Sequence, residues 1–365
     1  MALGAVVAGC SAGAREAQKL SPEAQALMTK LEKASAAGQI MYGHQDALMY
    51  GHTWTMAADE SSYDRSDVRM VCGDYPAVIG FDLGGIEKGD PANLDNNRFY
   101  QIREAAVKHY ERGGIITYSW HPRNPFTGGD AWDVSSAEVV ASILEGGEKH
   151  EEFMGWLKNM ADFIESVQTA DGKKVPAIFR PWHEHTGSWF WWGRNLCSVE
   201  QYKSLWRMTY GYLAGERGLS NLVWAFSPDA CPDIEVFMER YPGDDIIDII
   251  GLDCYAPAHK TQKADYDEFV VKLSHMLDIA AKAAKDHGKL SALTETGTEG
   301  TEYEAWWTEV LLETVKDSGI AYLLTWRNAP DRPEHAFGPY PGQNSADDFT
   351  KFSKNPKVLM LNGIQ

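Results

Sequence analysis

Ala177-Ile178-Phe179-Arg180-Pro181-Trp182-His183-Glu184 opens as a short apolar run and ends on an indole, an imidazole and a carboxylate. The same pattern recurs outward along the chain. Apolar runs at residues 39–43, 77–81, 114–119, 177–180, 222–226, 247–252, 291–294 and 321–325 each close on polar or aromatic side chains. Between them lie segments such as 98–112, 151–169, 199–216, 269–287 and 306–318, whose apolar residues fall three and four apart, the helical spacing. Glycines at Gly113-Gly114, Gly218, Gly288 and Gly319 stand where several of these helices must stop. Eight nearly continuous apolar strands alternating with helices predict a closed parallel sheet, a single (β/α)8 barrel of the α/β class. Extra residues fall mostly after the strands, where barrel enzymes keep their active-site loops. An open doubly wound sheet is the competing architecture, but neither GxGxxG nor GxxxxGK[ST] follows the first run.

The 365 residues carry 34 Lys and Arg against 52 Asp and Glu, a net charge of −18, which repels phosphate and excludes a nucleic-acid surface. The 13 tryptophans are unusual, since each indole N–H needs a partner when buried. Acidity with many indoles favours a neutral ligand with flat apolar faces and many hydroxyls, namely sugar. No stretch reaches the roughly 20 apolar residues of a membrane span.

Val7-Ala8-Gly9-Cys10 reads as a bacterial lipobox, although a basic segment before it is lacking. The expected organisation is a signal remnant over 1–10 ending at the lipidated Cys10, a tether over 11–24, and one catalytic domain over 25–365. Cys72, Cys197, Cys231 and Cys254 show no metal-like spacing. They read as scattered thiols, with a disulfide open to an exported protein.

In a barrel the residues after each strand converge on one face. In order these are Tyr42 to Asp46; Asp82; Ser119-Trp120-His121-Pro122; Arg180 to His185; Ser227-Pro228-Asp229; Asp253-Cys254-Tyr255; Thr294-Glu295-Thr296-Gly297; and Trp326-Arg327-Asn328. Glu184 and Glu295 follow buried runs four and seven, which lie across the barrel mouth from each other. Two carboxyls about 5–5.5 Å apart serve retaining glycoside hydrolysis and a wider pair serves inversion. Sequence alone leaves that separation open. For either glutamate alone, a structural ion pair explains the residue equally well.

The segment from Arg180 through Trp182-His183-Glu184-His185-Thr186-Gly187-Ser188-Trp189-Phe190-Trp191-Trp192 to Gly193 resembles the acid/base signature of glycoside hydrolase family 26. Thr294-Glu295-Thr296-Gly297 resembles its nucleophile segment. Most members of that family are β-1,4-mannanases, and the resemblance runs from about residue 25 to the end. It implies a retaining barrel enzyme with Glu184 as acid/base and Glu295 as nucleophile. It also implies that Tyr255 hydrogen-bonds the nucleophile and that Arg180 stands near the catalytic centre. His121, Trp132, His183 and Trp326 would line the −1 subsite, with Trp326 as its floor. Arg327 would bind at −2, and Trp189 would stack on the +1 sugar. Trp206, Trp224 and Trp306 read as packing, while Trp191 and Trp192 fit either role.

Two other classes compete. His183-Glu184-His185 is an HxH, but metal-dependent barrels carry that motif after the first strand, and HExxH is absent. A non-catalytic glycan-binding lipoprotein explains the aromatics but not two glutamates with a supporting tyrosine. Related barrels cleave β-1,3-xylan or mixed-linkage β-glucan; the match at −1 and −2 favours mannan, galactomannan or manno-oligosaccharides. The insertions 46–74 and 82–97 are expected to wall off the non-reducing end, so that short products such as mannobiose are released. No cofactor is expected and no metal site. The expected state is a monomer, lipid-anchored in the periplasm or outer membrane of a Gram-negative bacterium.

Overall fold

A computed structural model describes residues 19–365, so Cys10 and its lipobox lie outside the described residues. Eight strands form at the eight apolar runs: β1 Ile40–Gln45, β2 Val78–Asp82, β3 Ile115–Ser119, β4 Ala177–Arg180, β5 Leu222–Phe226, β6 Ile249–Tyr255, β7 Leu290–Gly297 and β8 Tyr322–Thr325. Each pairs in parallel with its sequence neighbour. β8 returns to β1 through Met41↔Tyr322 to His44↔Thr325, which closes the (β/α)8 barrel. A two-residue strand, Val358–Leu359, pairs with the start of β1.

Period-two alternation explains the two layers of core. Met41, Val78, Ile115, Ile178, Val223, Ile249, Ala292 and Tyr322 pack together inside the barrel. Their sequence neighbours Tyr42, Ile79, Ile116, Phe179, Trp224, Ile250 and Leu293 pack outward under the helices. Continuing the inward parity two residues at a time brings Asp82, Ser119, Arg180 and Asp253 to the upper rim. Gly43 is inward too, and a Cβ there would stand 2.9 Å from the Leu323 carbonyl oxygen and 3.2 Å from Val78 Cβ.

The barrel floor corrects the expected tether. Helix α1, Pro22–Ala36, begins inside residues 11–24. Its Ser21 N-cap side chain accepts from Ala24 N–H, and Ser21 N–H donates to the Ser220 carbonyl. Its buried Leu27, Met28 and Leu31 join the inner core, and it touches β1, β5 and β7. The chain from Ser21 onward therefore belongs to the barrel, because this apolar face covers the open lower end. Two expected helices also differ in form. The 199–216 segment is α-helical over Val199–Tyr210 and π-helical over Gly211–Glu216, and the later one starts as a π-helix over Trp306–Leu312. There the wider turn brings the consecutive Trp306 and Trp307 both into the core.

Candidate active site

Arg180, the last residue of β4, is the centre of the upper rim. Its Nη1 donates to Asp253 Oδ2 at 2.8 Å and to Ser227 Oγ at 3.2 Å, and its Nη2 donates to Glu295 Oε1. The other oxygen, Glu295 Oε2, accepts from Tyr255 OH at 2.7 Å. Burial raises Tyr255 well above the usual phenol range, and the charges of Glu295 and Glu184 add to that, so the phenol keeps its proton and donates. Asp253 Oδ1 accepts from Ser227 Oγ at 2.9 Å and Thr294 Oγ1 at 2.7 Å. Burial pushes Asp253 up to about 8 against the pull of Arg180, with Glu295 sharing the same guanidinium.

Glu295 reaches this point through a bulge. Leu252 pairs with Leu293, but the next register pair is Asp253 with Glu295, so Thr294 is an extra residue on β7. The extra residue resets the alternation. Both Thr294 and Glu295 then face the barrel axis, and Thr294 Oγ1 also lies 2.9 Å from the Leu252 carbonyl oxygen.

Glu184 arrives differently, four residues beyond β4. Trp182 and Glu184 have φ of 56° and 53°, left-handed values that cost a non-glycine residue roughly 1–2 kcal/mol each. Packing compels the first. Trp182 is fully buried among Trp120, Phe153, Trp191 and Trp192, its carbonyl accepts from Tyr202 OH at 2.6 Å, and its indole donates to Thr209. The second is pinned by Glu184 N–H donating to the Ser227 carbonyl at 2.8 Å. The turn leaves Glu184 half-buried, with Oε2 accepting from Trp189 Nε1 at 2.7 Å. Burial holds its carboxyl well above the usual range; Glu295, Asp253 and Asp229 push the same way, and the Trp189 N–H opposes them. One carboxylate oxygen from each of Glu184, Asp253 and Glu295 lies within 4.8 Å of the others.

On the opposite side of the mouth, Trp132 is 47% exposed and stacks on His121, with ring centroids 5.2 Å apart and planes 10° from parallel. They border a cavity of about 460 Å³ with Gly84, Leu94 and Arg123. Trp326, at the end of β8, meets the His121 ring edge-on at 6.2 Å. Arg327 pairs with Asp95 Oδ1 at 3.0 Å, and Tyr50 OH donates to Asp46 at 2.6 Å beside it. Asp95 belongs to the insertion after β2, so this pair ties that loop to the end of β8.

The chain matches the Glycosyl hydrolase family 26 profile over residues 17–313. It belongs to glycosyl hydrolase family 26. It is 31% identical over 359 residues to a mannan endo-1,4-beta-mannosidase of Bifidobacterium adolescentis, covering 93% of this chain and 34% of that protein. It is 32% identical over 217 residues to a mannan endo-1,4-beta-mannosidase of Bacillus subtilis, covering 56% of each. The matched part thus spans about a third and about half of these two relatives. Among solved structures, a GH26 beta-mannanase from Bacteroides ovatus superposes with a TM-score of 0.88 at 47% identity, covering 94% of this chain and 96% of that one. The catalytic domain of a GH26 endo-beta-1,4-mannanase from Bacillus sp. JAMB-750 gives 0.84 at 34% identity over 95% of each chain.

In this family 26 barrel the sequence-predicted residues fall into three groups. Glu184, Glu295, Arg180, Tyr255 and Trp189 form one connected set. His121, His183, Trp132 and Trp326 form a second, joined by His121 Nε2 to His183 Nε2 at 3.0 Å. Arg327 stands with Asp95 and Tyr50. Trp191 and Trp192 are fully buried, their indoles donating to the Pro122 and His183 carbonyls, so both are packing residues like Trp206, Trp224 and Trp306. Cys72, Cys197, Cys231 and Cys254 are free thiols. Asp253, Asp82 and Asp95 had been given no role; inward parity on β2 and β6 was the signal for the first two. Asp95 sits in an irregular loop with no periodicity to read.

Proposed function

We propose that this chain is a retaining glycoside hydrolase that cleaves β-1,4-mannosidic bonds in mannan, galactomannan or manno-oligosaccharides. One observation carries the mechanism: Glu184 and Glu295 bring carboxylate oxygens within 4.8 Å in opposed surroundings. That approach suits the retaining separation of about 5–5.5 Å between carboxyl groups rather than the roughly 6.5–9.5 Å of inversion. Glu184, held protonated, gives its proton to the leaving glycosidic oxygen while Glu295 attacks the anomeric carbon. Water then enters, gives its proton to the Glu184 carboxylate, and displaces Glu295. The Arg180 and Tyr255 hydrogen bonds fix the Glu295 carboxylate for that attack. Trp189 offers the +1 platform, Trp326 the −1 floor and Arg327 the −2 contact. The mannan assignment is supported by relatives named as mannanases and by the −1 and −2 residues. The test is proton NMR of mannohexaose hydrolysis with Glu184→Ala as control. A first-formed β-anomer that is lost in the variant is expected. An α-anomer first, unchanged hydrolysis by the variant, or cleavage only of β-glucan or β-1,3-xylan refutes the reading.

The Asp95–Arg327 pair supports a short glycone pocket and release of mannobiose. A ladder of many product sizes in the first minutes sinks that part. The lipobox supports lipidation of Cys10 and a periplasmic or outer-membrane location. Labelled palmitate that fails to enter the full-length protein in a Gram-negative host refutes it. We take the enzyme to act as a monomer, which sedimentation velocity checks.

A further inference from the structure

His121 is gripped from every side. Its Nδ1 meets Asp82 Oδ2 at 2.6 Å, its Nε2 meets His183 Nε2 at 3.0 Å, and one face lies on the Trp132 indole. Asp82 is itself fully buried at the end of β2. It accepts from Gly84 N–H at 2.7 Å and Ser119 Oγ at 2.7 Å as well as from His121, so every donor around it favours a carboxylate. Two nitrogens that face each other need one proton between them. If His121 is an imidazolium, it donates to both Asp82 and His183. Then His183 Nε2 is a lone pair and its proton sits on Nδ1. If His121 is neutral, Nδ1–H serves Asp82, Nε2 accepts from His183 Nε2–H, and His183 Nδ1 is a lone pair. The two states differ by one proton: the bridging proton crosses between the Nε2 atoms, and the proton that leaves comes off His183 Nδ1. That atom is buried and has no hydrogen-bond partner in the protein, so its protonation is not fixed locally.

We propose that Asp82 is a positioning residue that keeps His121 an imidazolium, and so makes His183 present an N–H rather than a lone pair at Nδ1. The proposal rests on the hydrolase reading above for its consequence, since His183 directly precedes Glu184 and its tautomer sets the hydrogen-bonding pattern beside that carboxyl. Three observations agree. Burial alone lowers His121, but the Asp82 carboxylate and its hydrogen bond override it and leave His121 raised; Glu295 adds to the rise and Arg180 opposes it. Burial would raise Asp82, but the charge and hydrogen bond of His121 lower it, so the two shifts match one ion pair. Burial, then the charges of Arg180 and His121, holds His183 well below its usual value, which keeps the second ring neutral. Asp95 also acts on His121. An imidazolium stacked on Trp132 also gains a cation–π contact, so the same charge helps hold the half-exposed indole.

The test is nitrogen NMR of labelled histidine rings in the whole protein between pH 5 and 9, without substrate. Wild type is expected to show His121 protonated at both nitrogens at pH 6 and His183 as the Nδ1–H tautomer. In Asp82→Asn, His121 should lose its extra proton about one pH unit or more lower, with His183 switching to Nε2–H in step. Asp82→Glu should restore part of the shift. Identical ring patterns in wild type and Asp82→Asn overturn the proposal. If Asp82→Asn fails to fold, wild type alone decides: a neutral His121 that accepts from His183 at pH 6 overturns it. These spectra need no turnover, so a wild-type protein without hydrolysis refutes the hydrolase reading and leaves this test intact.

Discussion

Arg180→Met removes the one guanidinium between two buried carboxylates and keeps most of the side-chain volume. The side chains of Arg180, Asp253 and Glu295 are 4%, 0% and 5% exposed, so water cannot replace the lost charge. Breaking such a pair by deleting one partner costs about 3–5 kcal/mol. Here the higher figure is expected at pH 8, because two acids lose the same cation. The pH dependence follows from Asp253. Its folded value of about 8 stands above the ordinary 3.8, so the folded protein binds the extra proton. This group's contribution to stability is therefore present at low pH and declines as pH rises toward 8. Without Arg180 the Asp253 carboxyl holds its proton more tightly still. At pH 5 the deficit should shrink toward the loss of the hydrogen bonds alone, about 1–3 kcal/mol. Urea unfolding at pH 5 and pH 8 measures both values. Arg180→Lys keeps a charge but not the fork that reaches Asp253 and Glu295 together, so it should recover part of the stability and little activity. A deficit that is equal at both pH values, or below about 1 kcal/mol at pH 8, refutes the view that Arg180 neutralises this pair.

Trp189→Phe keeps an aromatic face but removes the N–H that opposes protonation of Glu184. In the proposed mechanism Glu184 acts protonated, so the alkaline limb of kcat/KM should move to higher pH, whereas Trp189→Ala should also raise KM. In the parent, activity should fall as pH rises through the raised Glu184 value, a limb that Glu184→Ala abolishes. Trp182→Ala empties the centre of an indole cluster and should cost about 3–5 kcal/mol by urea unfolding. Gly43→Ala drives a methyl against the Leu323 carbonyl inside the barrel and should cost about 1–3 kcal/mol in the same assay.

The barrel was legible because its two signals are local. Apolar runs of strand length alternate with helical spacing, and the glycines that stop the helices carry the left-handed values that only glycine adopts freely: φ is 92° at Gly113, 69° at Gly218, 64° at Gly288 and 77° at Gly319. What sequence hid was α1, whose apolar face is ordinary for a helix and gives no sign that it plugs the barrel floor. The tryptophan count pointed at the cleft for a mixed reason. Ten of the 13 are buried; the remaining three, Trp132, Trp189 and Trp326, are the ones at the mouth.

The two glutamates mark the limit of reading by strand ends. Both stand after apolar runs, yet neither is placed by strand alternation alone. Without the extra residue at Thr294, period-two parity counted from Ala292 would turn Glu295 outward, into the layer of Leu293. Glu184 depends on left-handed backbone at positions 182 and 184, held by an aromatic nest drawn from three other segments. A bulge and a strained turn are set by tertiary packing, and no local propensity encodes them. The same devices explain why the two carboxyls have different partners at such short range. The bulge delivers Glu295 to Arg180 and Tyr255, while the turn holds Glu184 away from the guanidinium, under an indole and beside three other acids. Backbone irregularity thus sets the electrostatic asymmetry that the proposed acid and nucleophile require.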